Sequence, residues 1–339
     1  MCVIIAKKCK LKTEKSEKEN WFLYKIRDRN YNPAYELKVQ KSKSKETLFL
    51  TDHINKWSEG INSKGLMIVS AALDNHSDFE DNGQMSDTAS VHKKNQDAMK
   101  ALNSAIASES IKEAKNILIK ERFVGTSFIS DGDKLEILEI YVNDEAYKRE
   151  ELKIGEEKLK KLNKAQQIIE IMKGISDKDY DIASHEVKKD NLAIRTNHGR
   201  LLDKAGYQPD DEDPKGYTSS MFRWKITKDA LEKIKEPHPF EILTTLKNLK
   251  GIQKETQNNP IRIKTPKKEG KQPYYSTTII MLTPTGTMFA VPLEDEVDEK
   301  SKLVLKKDRK VDFVLLPKNL PLFESKDSFI SRIYKEKIW

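Results

Sequence analysis

Apolar positions in this chain fall mostly into short, strand-length runs separated by lysine-rich or turn-forming stretches. The first run, Cys2 to Ala6, is rich in Val and Ile. After a lysine-rich connection from Lys7 to Asn20, a second run, Trp21 to Tyr24, leads into Arg27-Asp28-Arg29-Asn30. The pattern predicts two neighbouring strands joined by an exposed hairpin loop, the second bringing a charged cluster back to the start of the chain. Pro33 ends that strand, because it has no N–H for a ladder. Glu36 to Gln40 and Thr47 to Asp52 alternate as further antiparallel strands. Asp52 to Gly65 reads as a turn-rich segment feeding a buried strand at Leu66 to Leu73.

Asp74 to His92 is polar and loop-like. From Lys93 to Arg122 apolar residues recur at helical spacing, at Met99, Leu102, Ala105 and Ile106 and again at Ile111, Ala114, Ile117 and Leu118. Val124 to Ser130 and Lys134 to Val142, split by Asp131-Gly132-Asp133, predict a β-hairpin. Glu150 to Gly174 predicts a charged amphipathic helix with a solvated face. His185 to Thr196 predicts a strand running into Asn197-His198-Gly199. Ile226 to Ile234 and Pro239 to Gly251 have helical patterns, and Thr256 to Gln272 is a polar connection. Tyr274 to Pro284 and Thr287 to Val291 read as paired strands around Pro284-Thr285-Gly286. Strands at both ends with helices between predict a single α+β domain over residues 1–339, with a core of about 2–291 and a C-terminal extension, 292–339.

Composition changes the picture in one respect: with 37% hydrophobic and 34% charged residues, the surface is densely charged. A net charge of +8 from 62 basic and 54 acidic side chains comes without clusters of Arg or Lys interleaved with aromatics, so no specific nucleic-acid partner is expected. There is no apolar run of membrane-spanning length and no signal-peptide architecture, which reads as no membrane partner and a cytoplasmic location. The two cysteines, Cys2 and Cys9, make neither a disulfide framework nor a zinc spacing, so no metal and no cofactor is expected. Homo-oligomerisation is left open.

The candidate chemistry sits at Cys2. Cysteine is small enough to permit removal of the preceding methionine, and removal leaves a thiol and a free α-amine on one residue. An α-amine titrates near ~8 and serves as a base toward its own thiol at neutral pH. The plainer reading is a small apolar residue in a strand, inert because it is buried.

Four separated pieces agree with the first reading. They are Cys2 followed by Arg27-Asp28-Arg29-Asn30; Gly60-Ile61-Asn62-Ser63-Lys64-Gly65-Leu66 before a strand; Thr196-Asn197-His198-Gly199 at a strand end; and Ser219-Ser220-Met221-Phe222-Arg223. In order and spacing, from Cys2 to about Val291, this resembles the N-terminal nucleophile (Ntn) hydrolases. Within them it is closest to the branch of choloylglycine hydrolases, acid-ceramidase-like amidases and isopenicillin N acyltransferases. The resemblance implies a four-layer αββα sandwich of two antiparallel sheets with helices outside. It also implies attack by Cys2 on a linear N-acyl amide to give a thioester, released by water or by an acceptor amine.

Arg27 then matches the arginine beside the nucleophile. Asp28 or Asn30 anchors the amine: the family spacing falls on Asn30 and the charge on Asp28, which is favoured. Asn197 matches the oxyanion-donating amide, with a backbone N–H near Ala71 or Ala72 as its partner, and Arg223 matches a late arginine. The run at Arg27-Asp28 is also similar to a second Cys2 family whose signature is Asn-Arg-Asp-Glu. Substrate contacts are expected from the loops Asp74 to His92 and Gly206 to Tyr217. The plainer reading of Arg27 and Asp28 is a surface ion pair, and the alternative function is a catalytically inactive Ntn-like scaffold that binds.

Overall fold

The computed structural model describes residues 2–12, 17–29, 35–42, 44–52, 57–73, 99–162, 164–197, 199–202, 218–235, 237–249, 252, 259–261, 275–293 and 310–316. Their fold is α+β with two sheets. The first contains β1 (Cys2–Lys12), β2 (Glu17–Arg29), β10 (Leu192–Arg195), β11 (Tyr275–Leu282), β12 (Thr287–Pro292) and β13 (Asp312–Leu315), in the order β10-β1-β2-β11-β12-β13. The second runs in near chain order as β3 (Tyr35–Lys41), β4 (Glu46–Asp52), β5 (Ser58–Asn62), β6 (Met67–Ala71), β7 (Gly125–Ser130), β8 (Leu135–Val142) and β9 (Tyr180–Glu186). The second sheet is antiparallel throughout. The first departs from the expected antiparallel pattern at one edge, where β13 lies parallel to β12. The stretch between Pro292 and Asp312 is long enough for the crossover that parallel pairing requires. The first sheet thus takes a strand from beyond residue 291.

Alternation along the strands explains why runs such as Val3-Ile4-Ile5 are continuously apolar, since both faces are covered. Ile4, Ala6, Leu23 and Leu282 of the first sheet share a core with Leu48, Leu50, Val69 and Phe128 of the second. The other face of the first sheet, with Val3, Ile5, Tyr24 and Ile26, packs under α6 (Thr218–Glu232) and α7 (Pro239–Lys247) through Leu231, Phe240 and Leu246. The other face of the second sheet packs Phe49, Ile68 and Ile129 against Leu102, Ile106, Ala114 and Leu118. Those residues lie on α1 (residues 99–106) and α2 (Ile111–Lys120).

Several expectations from the chain pattern change. Lys7 to Asn20 is mostly not a loop: β1 continues to Lys12 and β2 begins at Glu17, in unbroken register. Cys9 is fully buried there, and the apolar stems of the lysines let strand structure persist in a polar run. Ser58–Asn62 is a strand rather than a turn, because its polar side chains have partners in the interior. Asn62 donates to the Ile106 and Ser108 carbonyls at 2.9 Å and accepts from the N–H groups of Lys64 and Leu66, which fixes the turn before Gly65 (φ 86°). His185 to Thr196 is two strand pieces in different sheets, divided at the charged run Val187-Lys188-Lys189-Asp190-Asn191.

The helical pattern from Lys93 to Arg122 is broken after residue 106, and Ser110 caps α2 by accepting from Glu113 N–H. Glu150 to Gly174 falls within α3 (Asp144–Ile154), α4 (Glu156–Lys160) and α5 (Lys164–Lys173), with the first break at Gly155 (φ 83°). α6 starts at Thr218, eight residues before the periodic pattern at Ile226, and so carries Ser219 to Arg223 on a helix.

His238 caps α7: its Nδ1 accepts from the Phe240 N–H at 3.3 Å, and burial pushes its imidazole down to about 4 from 6.5. An unfolded chain takes up this proton near pH 6.5, but the folded one does not until about pH 4. The stability it contributes is therefore complete above 6.5 and is lost progressively as pH falls toward 4. Partial exposure limits the effect to on the order of 1 kcal/mol. His238→Asn keeps a cap acceptor without the titration. Thermal midpoints of this variant are expected to fall less than those of the wild type between pH 6.5 and 4.

Candidate active site

Cys2 begins β1 and pairs directly with Arg27 of β2, so their side chains share one face of the first sheet, the face toward the second. Cys2 is 5% exposed and belongs to the core shared by the two sheets. On its other side, β1 pairs with β10 (Ile4 opposite Arg195), whose end delivers Thr196 and Asn197 to the neighbourhood of Cys2. The backbone N–H of Cys2 donates to Asn197 Oδ1 at 3.0 Å, and Asn197 Nδ2 donates to the Ala72 carbonyl at 2.8 Å. An amide nitrogen carries two N–H groups, so this carbonyl takes one of them.

The first turn of α6 locks this strand end in place. Asn197 N–H donates to Ser220 Oγ at 3.1 Å, Ser220 Oγ donates to Thr196 Oγ1 at 2.7 Å, and Thr196 Oγ1 donates to the Ser220 carbonyl at 3.2 Å. One turn on, Arg223 is fully buried and reaches three places at once: Asn197 Oδ1 at 3.2 Å, the Cys2 carbonyl at 3.4 Å and Asp28 Oδ2 at 3.6 Å. Asp28 Oδ1 accepts from Ser276 Oγ at 2.6 Å. The β2–β11 ladder shifts register between Ser276 and Thr278, opposite the Arg27–Asp28 step. An irregularity of this kind re-aims side chains, here Ser276 onto Asp28 and Thr277 Oγ1 onto the Arg27 carbonyl at 3.2 Å.

Arg27 and Asp28 are both fully buried and point to opposite faces of β2, so they are not a surface ion pair. Asp28 faces α6 and Arg223. Arg27 faces the second sheet, where it ion-pairs with Glu59 of β5 and donates to the Leu50 carbonyl at 3.2 Å. Cys2, Asp28, Asn197 and Arg223 thus form one connected group, with Arg27 beside Cys2 but tied to the opposite sheet. Asn30, His198 and the two expected substrate loops lie outside the described residues. Gly60 to Leu66 serves the turn anchored by Asn62.

Lys25, Glu59, Ser276 and Glu139 carry structure here that the chain pattern did not single out. Lys25 had a visible signal, as a charge set inside the apolar stretch Trp21 to Ile26. Glu139 had the same signal, set between Ile137-Leu138 and Ile140-Tyr141-Val142; Glu59 and Ser276 had none. Glu139 is fully buried on β8; it accepts from Arg195 Nε at 3.1 Å and from the N–H groups of Arg200 (2.9 Å), Leu201 (2.8 Å) and Leu202 (3.4 Å), which fixes the loop just after Asn197.

Neither Cys2 nor Cys9 is in a disulfide. Burial pushes the Cys9 thiol up to about 12, with the Tyr24 hydroxyl 4.0 Å away. Among the described residues no three His, Cys, Asp or Glu side chains converge to hold a metal ion, and no helix is long and apolar enough to cross a membrane. The chain matches no protein-family model and no curated protein.

Proposed function

We propose that this protein is a cysteine-dependent amidohydrolase of the N-terminal nucleophile type, a four-layer αββα sandwich that cleaves a linear C–N bond in a small N-acyl amide through a thioester on Cys2. The observation that carries the reading is the 3.0 Å contact between the Cys2 nitrogen and Asn197 Oδ1, with Arg223 bridging Asn197, Cys2 and Asp28. A nitrogen held in this way becomes, once Met1 is removed, an α-amine fixed beside its own thiol.

The amine takes the thiol proton, and the sulfur attacks the acyl carbon. The resulting oxyanion accepts an N–H from Asn197. Collapse breaks the C–N bond as the α-ammonium returns the proton to the leaving amine. Water, or an acceptor amine, then releases the acyl group from sulfur. Asp28 acts from behind through Arg223. Two cysteines outside any disulfide suit the cytoplasmic setting proposed for it.

The test is acyl-enzyme trapping. A panel of N-acyl anilides is incubated with the protein, quenched in acid and read by intact mass. One acyl adduct on the peptide containing Cys2 is expected; a panel that leaves no adduct and releases no aniline counts against the reading. Against a substrate so found, Asn197→Ala is expected to lower kcat by about 10²–10³, the loss typical of one oxyanion donor.

A further inference from the structure

Lys25 is fully buried in the middle of β2, opposite Ile4 and on the face that Arg27 and Cys2 share. Its ammonium ion-pairs with Glu59 across the gap between the sheets and lies 5.3 Å from the centroid of the Trp57 ring. Trp57 is itself held by a 3.0 Å hydrogen bond to Ser70 Oγ and by Phe123, 5.3 Å away. Arg27 uses the same Glu59 carboxylate, so one anion serves two buried cations. Such a group is a poor stability device, because removing charges from water costs several kcal/mol per ion and a packed apolar residue in the same slot often does as well or better. A buried, doubly cationic cluster next to a candidate nucleophile points instead to a role in tuning it.

We propose that Lys25 is a positioning residue for Cys2 chemistry: Glu59 holds Lys25 and Arg27 side by side on the inner face of β2, and the second cation favours the thiolate form of Cys2. This rests on the reading of Cys2 as the nucleophile.

Several other charged groups face the same region. Glu59 comes from β5, and Asp52 from β4 occupies the strand position that shares the inner face with Leu48 and Leu50. Glu139 of β8 and Arg195 of β10 pair at 3.1 Å. Behind β2, Asp28 meets Arg223. None of these changes sign when Lys25 is replaced, so removing its charge acts on Cys2 in one direction only, toward the neutral thiol.

The experiment measures the rate of Cys2 alkylation by iodoacetamide from pH 5 to 9 in the intact protein. Peptide mass spectrometry provides the readout, with Cys9 as the internal reference. Lys25→Met is expected to raise the Cys2 midpoint by about one pH unit, which slows alkylation about tenfold below it, and to leave Cys9 unchanged. Lys25→Arg is expected to restore the wild-type midpoint. Should Lys25→Met fail to fold, Lys25→Gln is read in the same way. A variant that changes the thermal midpoint but leaves the Cys2 pH profile unmoved overturns the inference while the nucleophile reading stands. Wild-type Cys2 no more reactive than Cys9 at any pH overturns both.

Discussion

Cys2→Ala is expected to abolish turnover of any amide substrate, by on the order of 10⁴-fold or more, while Cys9→Ala keeps it. Losing the nucleophile removes the thioester route and leaves only the binding groups. The contrast between the two cysteines gives the comparison its force, because both lie in β1 and both are buried. Cys9 faces α7 through Tyr24, whose hydroxyl donates to the Pro239 carbonyl at 3.1 Å, and its thiol stays protonated at neutral pH. Cys2 faces the gap between the sheets, beside Asn197. Single-turnover assays of both variants on one substrate settle the matter, and equal rates for Cys2→Ala and wild type would sink the nucleophile assignment.

The largest effect on stability is expected from Glu59→Leu. The substitution leaves Lys25 and Arg27, both fully buried, without the carboxylate they share. Breaking a buried ion pair by removing one partner costs about 3–5 kcal/mol, and here two cations lose the same partner. Lys25→Met is expected to cost much less, since Glu59 keeps Arg27. Urea unfolding of the two variants side by side measures this. If Glu59→Leu is no less stable than Lys25→Met, the shared carboxylate does not hold the two sheets together at this point.

What could be read from the chain alone follows from which interactions are local. The strands at Cys2, Trp21, Leu66, Val124, Lys134 and Tyr274 were legible because their apolar runs are bounded by turn residues. The helices under the second sheet were legible because Met99 through Leu118 keep helical spacing. Ser58–Asn62 was not legible: of Ser-Glu-Gly-Ile-Asn only Ile61 favours a strand, and the segment is held by Glu59 and Asn62 finding partners distant in sequence. The break between β9 and β10 falls at the charged run Lys188-Lys189-Asp190, and the placing of the two pieces in different sheets depends on strand partners distant in sequence.

The site was partly legible. Cys2, Asp28, Asn197 and Arg223 are far apart in the chain and were brought together on order and spacing, and the structure places them in one group linked by hydrogen bonds and by the Asp28–Arg223 ion pair. That Arg27 turns to Glu59, and Asp28 to Arg223 and Ser276, depends on strand register and on the shift at Ser276–Thr278, and neither can be read from residue types.

The most direct measurement is peptide mass spectrometry of the purified protein, before and after brief alkylation at mildly acidic pH. The account predicts an N-terminal peptide that begins at Cys2, with Cys2 alkylated well ahead of Cys9. A peptide that still carries Met1, together with equal reaction at both cysteines, would mean that the catalytic amine does not exist. The nitrogen of Cys2 would then be an ordinary amide hydrogen-bonded to Asn197, and the two sheets would be the frame of a binding protein.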